Sequence, residues 1–218
     1  KENDVILFQG DSITDGNRGR SADPNHIHGH GYQYILASEI LADNLGKNVT
    51  VYNRGISGNR IADLYARWIE DCLKLEPTIL SILIGANDII FQYNNNFDSS
   101  PERYKKTYKL LIEEVIERNS ETKIIIMEPF FGEHKEAELC EYIKNNISFY
   151  QKVAKEIAEE FGLIFVPLQE VFDEASKKSN STIIDATVLS LIVALIVFAV
   201  GSGTIRSIAT MLAVSMAL

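Results

Sequence analysis

The sequence holds only two cysteines, Cys72 and Cys140, among 218 residues. They are too few and too far apart for a disulfide framework, and their helix-like surroundings mark them as core or partly buried thiols. Basic charge is also short: 21 Lys and Arg against 30 Asp and Glu leave a net charge of −9. No run concentrates Lys or Arg into a phosphate-facing stripe, which excludes a nucleic-acid binder. Histidine occurs at four positions, none later than His134. Internal repeats are absent, and no low-complexity linker precedes Ser176. The apolar opening Val5–Phe8 is too short for a signal peptide, and the start at Lys1 rather than Met points to a trimmed natural beginning.

What is present is ordinary globular composition, 46% hydrophobic and 23% charged, long enough for one domain with a real core. Short apolar runs at Val5–Gln9, Thr50–Asn53, Ile79–Ile84, Lys123–Met127 and Leu163–Val166 are nearly continuous in Ile, Val and Leu, as strands buried on both faces should be. Between them the helical period predicts Tyr32–Asn44, Ile61–Leu73, Pro101–Arg118 and Glu136–Phe161. Pro101 suits a first helical turn with Ser99 or Ser100 as cap, and Gly46 and Gly162 suit helix ends. A polar helix-like piece then runs to about Lys178. The alternation predicts a doubly wound, three-layer α/β/α sandwich around a five-stranded parallel sheet. Ligands of such sheets bind beyond the carboxyl ends of the strands, so the loops that follow each strand carry the interest.

Three of those loops hold unusual residues. The first strand ends in Gly10-Asp11-Ser12-Ile13-Thr14-Asp15, where a serine hydroxyl can project into the cleft as a nucleophile, given a base and an oxyanion site. Equally, Asp11 and Ser12 suit a helix cap. The second strand leads into Asn53-Arg54-Gly55-Ile56-Ser57-Gly58-Asn59-Arg60, whose glycines let a backbone N–H approach a substrate oxygen or simply make a turn. The third ends in Gly85-Ala86-Asn87-Asp88, with an Asn amide as an oxyanion donor or as an Asx-turn.

Taken together, Gly-Asp-Ser-Ile-Thr, Ser-Gly-Asn and Gly-Ala-Asn-Asp, in this order after successive strands, resemble the first three blocks of the SGNH, or GDSL-type, hydrolase family. The stretch Arg54–Asp88, with Tyr65-Ala66-Arg67-Trp68, looks like its carbohydrate O-acetyl esterase branch. The resemblance implies that Ser12 is the nucleophile and that the Ser12 and Gly58 N–H groups and the Asn87 side chain form the oxyanion hole. It implies two-step hydrolysis of small acyl esters or acetylated carbohydrates, with no metal and no organic cofactor. The aromatic residues Tyr65 and Trp68 are expected in the core rather than on a sugar platform.

The family's last block, Asp-x-x-His, supplies the base and the residue that orients it. With Asp185 in the Asp position, Val188 stands where the His belongs, so low activity is expected. His26, His28, His30 and His134 follow strand ends and read as ordinary loop histidines, with one of them as a replacement base the alternative; Asp11, His30, His134 and Asp185 are the candidate neighbours of Ser12. The His-x-His-x-His spacing without a Cys or carboxylate in register is a weak metal signal, and no metal is expected. The alternative is a non-catalytic ligand binder or a membrane-anchored derivative of the same fold.

The hydrolase-type domain is expected over 1–180, followed by an apolar helical tail over 181–218. Ile183–Val200 is eighteen residues long with Asp185 as its only charge, the length of a transmembrane candidate. Apolar on all sides, it does not suit a closing helix with one wet face. Ile184–Phe198, Gly201-Ser202-Gly203-Thr204-Ile205 and Ala209-Thr210 resemble a membrane segment of the SecD/SecF protein-export family. The expected location is cytoplasmic for the hydrolase domain, with membrane association through 183–218.

Overall fold

The computed structural model describes residues 1–21, 26–95, 98–132 and 135–178. Five strands, β1 (Val5–Gly10), β2 (Thr50–Asn53), β3 (Ile79–Leu83), β4 (Lys123–Met127) and β5 (Ile164–Val166), form one sheet in the order β2-β1-β3-β4-β5. Every pairing is parallel, with Leu7 opposite Tyr52 on one side and Leu80 on the other. The expected strands are all found, each within a residue at either end.

Both faces of the sheet are covered, as a parallel sheet requires. Leu7, Leu80, Ile82, Ile124 and Ile126 point into one core cluster. That cluster is closed by α3 (Ile61–Ala66), α4 (Trp68–Asp71), α5 (Ala86–Asn95), α6 (Pro101–Arg118) and α7 (Ala137–Phe161). Their neighbours in sequence, Ile6, Phe8, Leu83, Ile125 and Met127, point the other way onto α2 (Tyr32–Asp43) and α8 (Gln169–Lys178). The period-two alternation of side chains thus builds two cores from one set of strands. Trp68 is buried at the base of the larger core, its indole N–H donating to the Leu111 carbonyl at 3.2 Å. Cys72 is buried and Cys140 partly so; both are free.

Local signals end the helices where expected. The Ser100 hydroxyl caps α6 and Pro101 fills its first turn. Gly162 closes α7 in the left-handed conformation at φ 64°. Two features differ from expectation. The helix anticipated over Ile61–Leu73 is broken into α3, α4 and a 3-10 turn at Leu73–Leu75, because the backbone leaves helical angles at Arg67 and again at Cys72. Tyr65 is 45% exposed rather than part of the core, whereas Trp68 is 1% exposed. The break at Arg67 comes between them.

Among the described residues no helix is long and apolar enough to cross a membrane. The apolar tail, with its membrane reading and its likeness to a SecD/SecF segment, lies outside those residues, as do His134 and Asp185.

Candidate active site

The winding reverses between β1 and β3: β2 lies outside β1 while the chain continues on the far side through β3. The loops leaving the carboxyl ends of β1 and β3 therefore part in opposite directions and open a crevice, the usual ligand site of such sheets. Ser12 leaves β1 at this crevice, and Asn87 leaves β3.

Ser12 opens a one-turn helix, α1 (Ser12–Asp15), whose cap is Asp11; the Asp11 carboxylate accepts the Ile13 N–H at 3.0 Å. Asp11 thus caps the turn as expected and is 1% exposed, while Ser12 is exposed. Burial pushes the Asp11 carboxyl up to about 7 against the hydrogen bonds it accepts. Gly10 makes the turn fit: a Cβ there would lie 2.3 Å from the Leu83 carbonyl oxygen and 2.4 Å from the Thr14 hydroxyl. Nothing larger than glycine lets β1 hand over to α1 so close to β3.

The Gly58 loop is tied to the Ser12 turn from several sides. The Ile56 N–H donates to the Gly10 carbonyl at 3.1 Å. The Ser57 N–H donates to the Asp15 carboxylate at 2.8 Å. Asn53, buried, donates its side-chain amide to the Thr14, Asp15 and His28 carbonyls at 2.8, 3.2 and 3.0 Å and accepts the Gly55 N–H at 2.9 Å. Gly58 itself is exposed with φ 82°, and a Cβ there would meet nothing within 4 Å. Burial of Asp15 works against its charge, but hydrogen bonds from Arg20, Ser57 and Arg18 hold its carboxyl below the ordinary value.

Asn87 lies in the first turn of α5 rather than in an isolated Asx-turn. Its side-chain NH₂ donates to the Asn59 carbonyl at 3.0 Å. One of its two hydrogens is thereby spent on the Gly58 loop, and the other is left for a ligand. Asp88, 1% exposed, accepts the Ile61 N–H at 3.1 Å at the start of α3. Burial pushes Asp88 up to about 8. The loops of Gly58 and Asn87 are thus clamped to each other by two adjacent residues of β3's exit.

The described histidines lie on the segment that follows α1, where the backbone N–H of His30 donates to the Gly16 carbonyl and the His28 carbonyl accepts from the Asn53 amide. The His26 and His30 rings pack against each other at 5.0 Å. The buried Nδ1 of His28 has no hydrogen-bond partner. Among the described residues no group of three or more His, Cys, Asp or Glu is placed to hold a metal ion.

Sequence reasoning missed Arg67 as part of this architecture. From the α3–α4 break its guanidinium reaches Gln9 Oε1 at 2.9 Å, Asn59 Oδ1 at 2.8 Å and Asp71 Oδ2 at 3.0 Å, with the Gly10 carbonyl at 3.4 Å. It fastens the end of β1 to the loop after Gly58. A lone arginine in a helical pattern gives no such signal; only the side chain's reach across the sheet edge reveals it.

A protein-family profile, GDSL-like Lipase/Acylhydrolase, matches residues 8–187. An acetylxylan esterase from Geobacillus stearothermophilus is 36% identical over 179 residues, covering 79% of this chain and 79% of that protein. The crystal structure of Axe2, an acetylxylan esterase from the same organism, superposes with a TM-score of 0.76 at 28% identity, over 93% of this chain and 97% of that one. A protein from Parabacteroides merdae assigned as a GDSL-like lipase gives a TM-score of 0.75 at 31% identity, over 100% of this chain and 97% of that one. The solved relatives include two catalytic mutants of Axe2, one with an Asp and one with a His three positions later replaced by alanine. The match in sequence blocks, sheet order and length leads to one assignment: the chain belongs to the GDSL-like lipase/acylhydrolase family.

Proposed function

We propose that this chain is an esterase of acetylated carbohydrates that works through a Ser12 acyl-enzyme and turns over slowly. The observation that carries the reading is the exposed Ser12 at the crevice between β1 and β3, with the Gly58 and Asn87 loops clamped together beside it. Ser12 Oγ attacks the acetyl carbonyl, and the developing oxyanion takes hydrogen bonds from the Ser12 N–H, the Gly58 N–H and the free hydrogen of the Asn87 amide. The sugar hydroxyl leaves, and water then releases acetate. Each donor is preorganised, because the groups around it are already bound to the scaffold.

The Ser12 proton needs an acceptor. The relatives' catalytic Asp and His lie three positions apart. With Asp185 in the first role, Val188 occupies the second, and the family match stops at 187. Losing the His of a serine-hydrolase triad costs on the order of 10⁶ in turnover, leaving what the oxyanion hole and binding supply. Acetylated xylan fragments are the substrates we favour, by similarity to the acetylxylan esterases.

The test is hydrolysis of p-nitrophenyl acetate and acetate release from acetylated xylo-oligosaccharides, with Ser12→Ala and His30→Ala beside the parent. Slow turnover abolished in Ser12→Ala and unchanged in His30→Ala is the expected result. Turnover at ordinary esterase rates would overturn the missing-base reading, and its loss in His30→Ala would name the replacement. Equal rates for parent and Ser12→Ala, with ligand binding intact, would instead favour a non-catalytic binder.

A further inference from the structure

On the β2 side of the nucleophile's turn, four guanidinium groups meet two carboxylates. Arg20 pairs with Asp15 at 2.5 Å, Arg67 with Asp71 at 3.0 Å, and Arg54 stands 3.9 Å from Asp71. Arg18 donates its Nε–H to the Gly55 carbonyl at 2.8 Å and makes no ion pair among the described residues. Among the described residues the group therefore carries two positive charges in excess, in a chain whose net charge is −9.

Two features set this apart from an ordinary surface network. Arg18 is half-buried, and burial, with the Arg20 and Arg54 charges opposed by those of Asp15 and Asp71, brings its guanidinium down to about 10. Arg54 lies over the Tyr52 ring at 5.5 Å, and its buried Nε has no hydrogen-bond partner. Crowding more cations than carboxylates into partial burial is unfavourable unless a further anion is bound there. The place is adjacent to the chemistry. Gly55, which holds Arg18, packs so tightly on α1 that a Cβ would lie 2.3 Å from the Asp15 nitrogen. Asp15 is three residues along that turn from Ser12, or about 5–6 Å.

We propose that Arg18 and Arg54 form a subsite for a carboxylate carried on the substrate's sugar chain, a uronic acid close to the ester that Ser12 attacks. The inference rests on the reading of the chain as a carbohydrate esterase. A guanidinium fork matches a planar carboxylate in a way a lysine does not. Through Gly55 and Asp15 the pair adjoins the turn that carries Ser12, so a substituent of the same oligosaccharide is within reach while the acetyl group faces Ser12.

Binding tests this without needing turnover. Titration calorimetry on the full chain compares xylotetraose bearing one glucuronic acid with unsubstituted xylotetraose, at low and raised salt. The acidic sugar is expected to bind roughly tenfold tighter, as charge-assisted hydrogen bonds allow, with the advantage shrinking in salt. Arg18→Gln and Arg54→Gln should each remove most of the advantage while leaving the neutral sugar's affinity unchanged. Arg18→Lys should restore only part of it. The salt dependence of the parent stands even if a variant fails to fold. Equal binding of the two sugars would overturn the subsite and leave the esterase reading standing; no binding of either would overturn both. Tighter binding of inorganic phosphate than of the acidic sugar would overturn the assignment to a substrate carboxylate.

Discussion

Replacing Asp88 by Asn should make the protein progressively more stable than the parent as pH rises from about 5 to 8. Asp88 is 1% exposed, has one backbone N–H donor from Ile61, and is pushed up to about 8 by burial. In the unfolded chain the same carboxyl titrates near its ordinary value of 3.8. The folded protein therefore holds a proton that the unfolded chain has released throughout that interval. Stability falls with pH wherever the native state binds more protons, by about 1.4 kcal/mol per pH unit for one full proton. The penalty is absent below the unfolded pKa, grows above it, and levels off once the folded group ionises near 8. Asn keeps the shape and the acceptor for the Ile61 N–H but cannot ionise, so the variant lacks this slope. Between pH 5 and 7 its advantage should grow by roughly 2–3 kcal/mol, an upper figure because it takes the whole proton. Urea unfolding at a series of pH values reads the difference directly. A constant difference between parent and Asp88→Asn over that range would refute the reasoning, since it would mean that Asp88 ionises alike in both states.

Two further outcomes follow from the site's geometry. Gly10→Ala should cost far more stability than Gly58→Ala, because its Cβ would strike the Leu83 carbonyl at 2.3 Å, whereas at Gly58 the space is open and only the φ of 82° is strained. For Gly58→Ala the cost is about 1–2 kcal/mol; similar urea midpoints for the two variants would contradict this packing. Val188→His should raise Ser12-dependent hydrolysis of p-nitrophenyl acetate by at least roughly 100-fold if it supplies the missing base; an unchanged rate in a folded variant would rule out the pairing of Asp185 with position 188.

Much of the fold was legible in the residues themselves. Strands buried on both faces leave near-continuous runs such as Ile79–Leu83 and Lys123–Met127, and their spacing admits little besides a parallel sheet. Ser100, Pro101 and Gly162 act on the backbone within a turn of their own positions, so they mark helix ends without tertiary help. Ser12, Gly58 and Asn87 stand out by the resemblance of their loops to the family's sequence blocks, each loop following a strand of the sheet.

Tertiary structure decided what long-range contacts decide. It broke the Ile61–Leu73 period at Arg67, whose guanidinium binds Gln9 and Asn59 and leaves Tyr65 in solvent. It turned Asp88, which in sequence is one more polar loop residue, into a buried carboxyl that holds α3. It also gathered Arg18, Arg20, Arg54 and Arg67, scattered over fifty residues, around two aspartates beside the Ser12 turn. Local pattern determines which segments become strands and helices, because backbone geometry is settled within a few residues. Charge and burial at the site are sums over side chains distant in sequence, and only the folded chain brings them together.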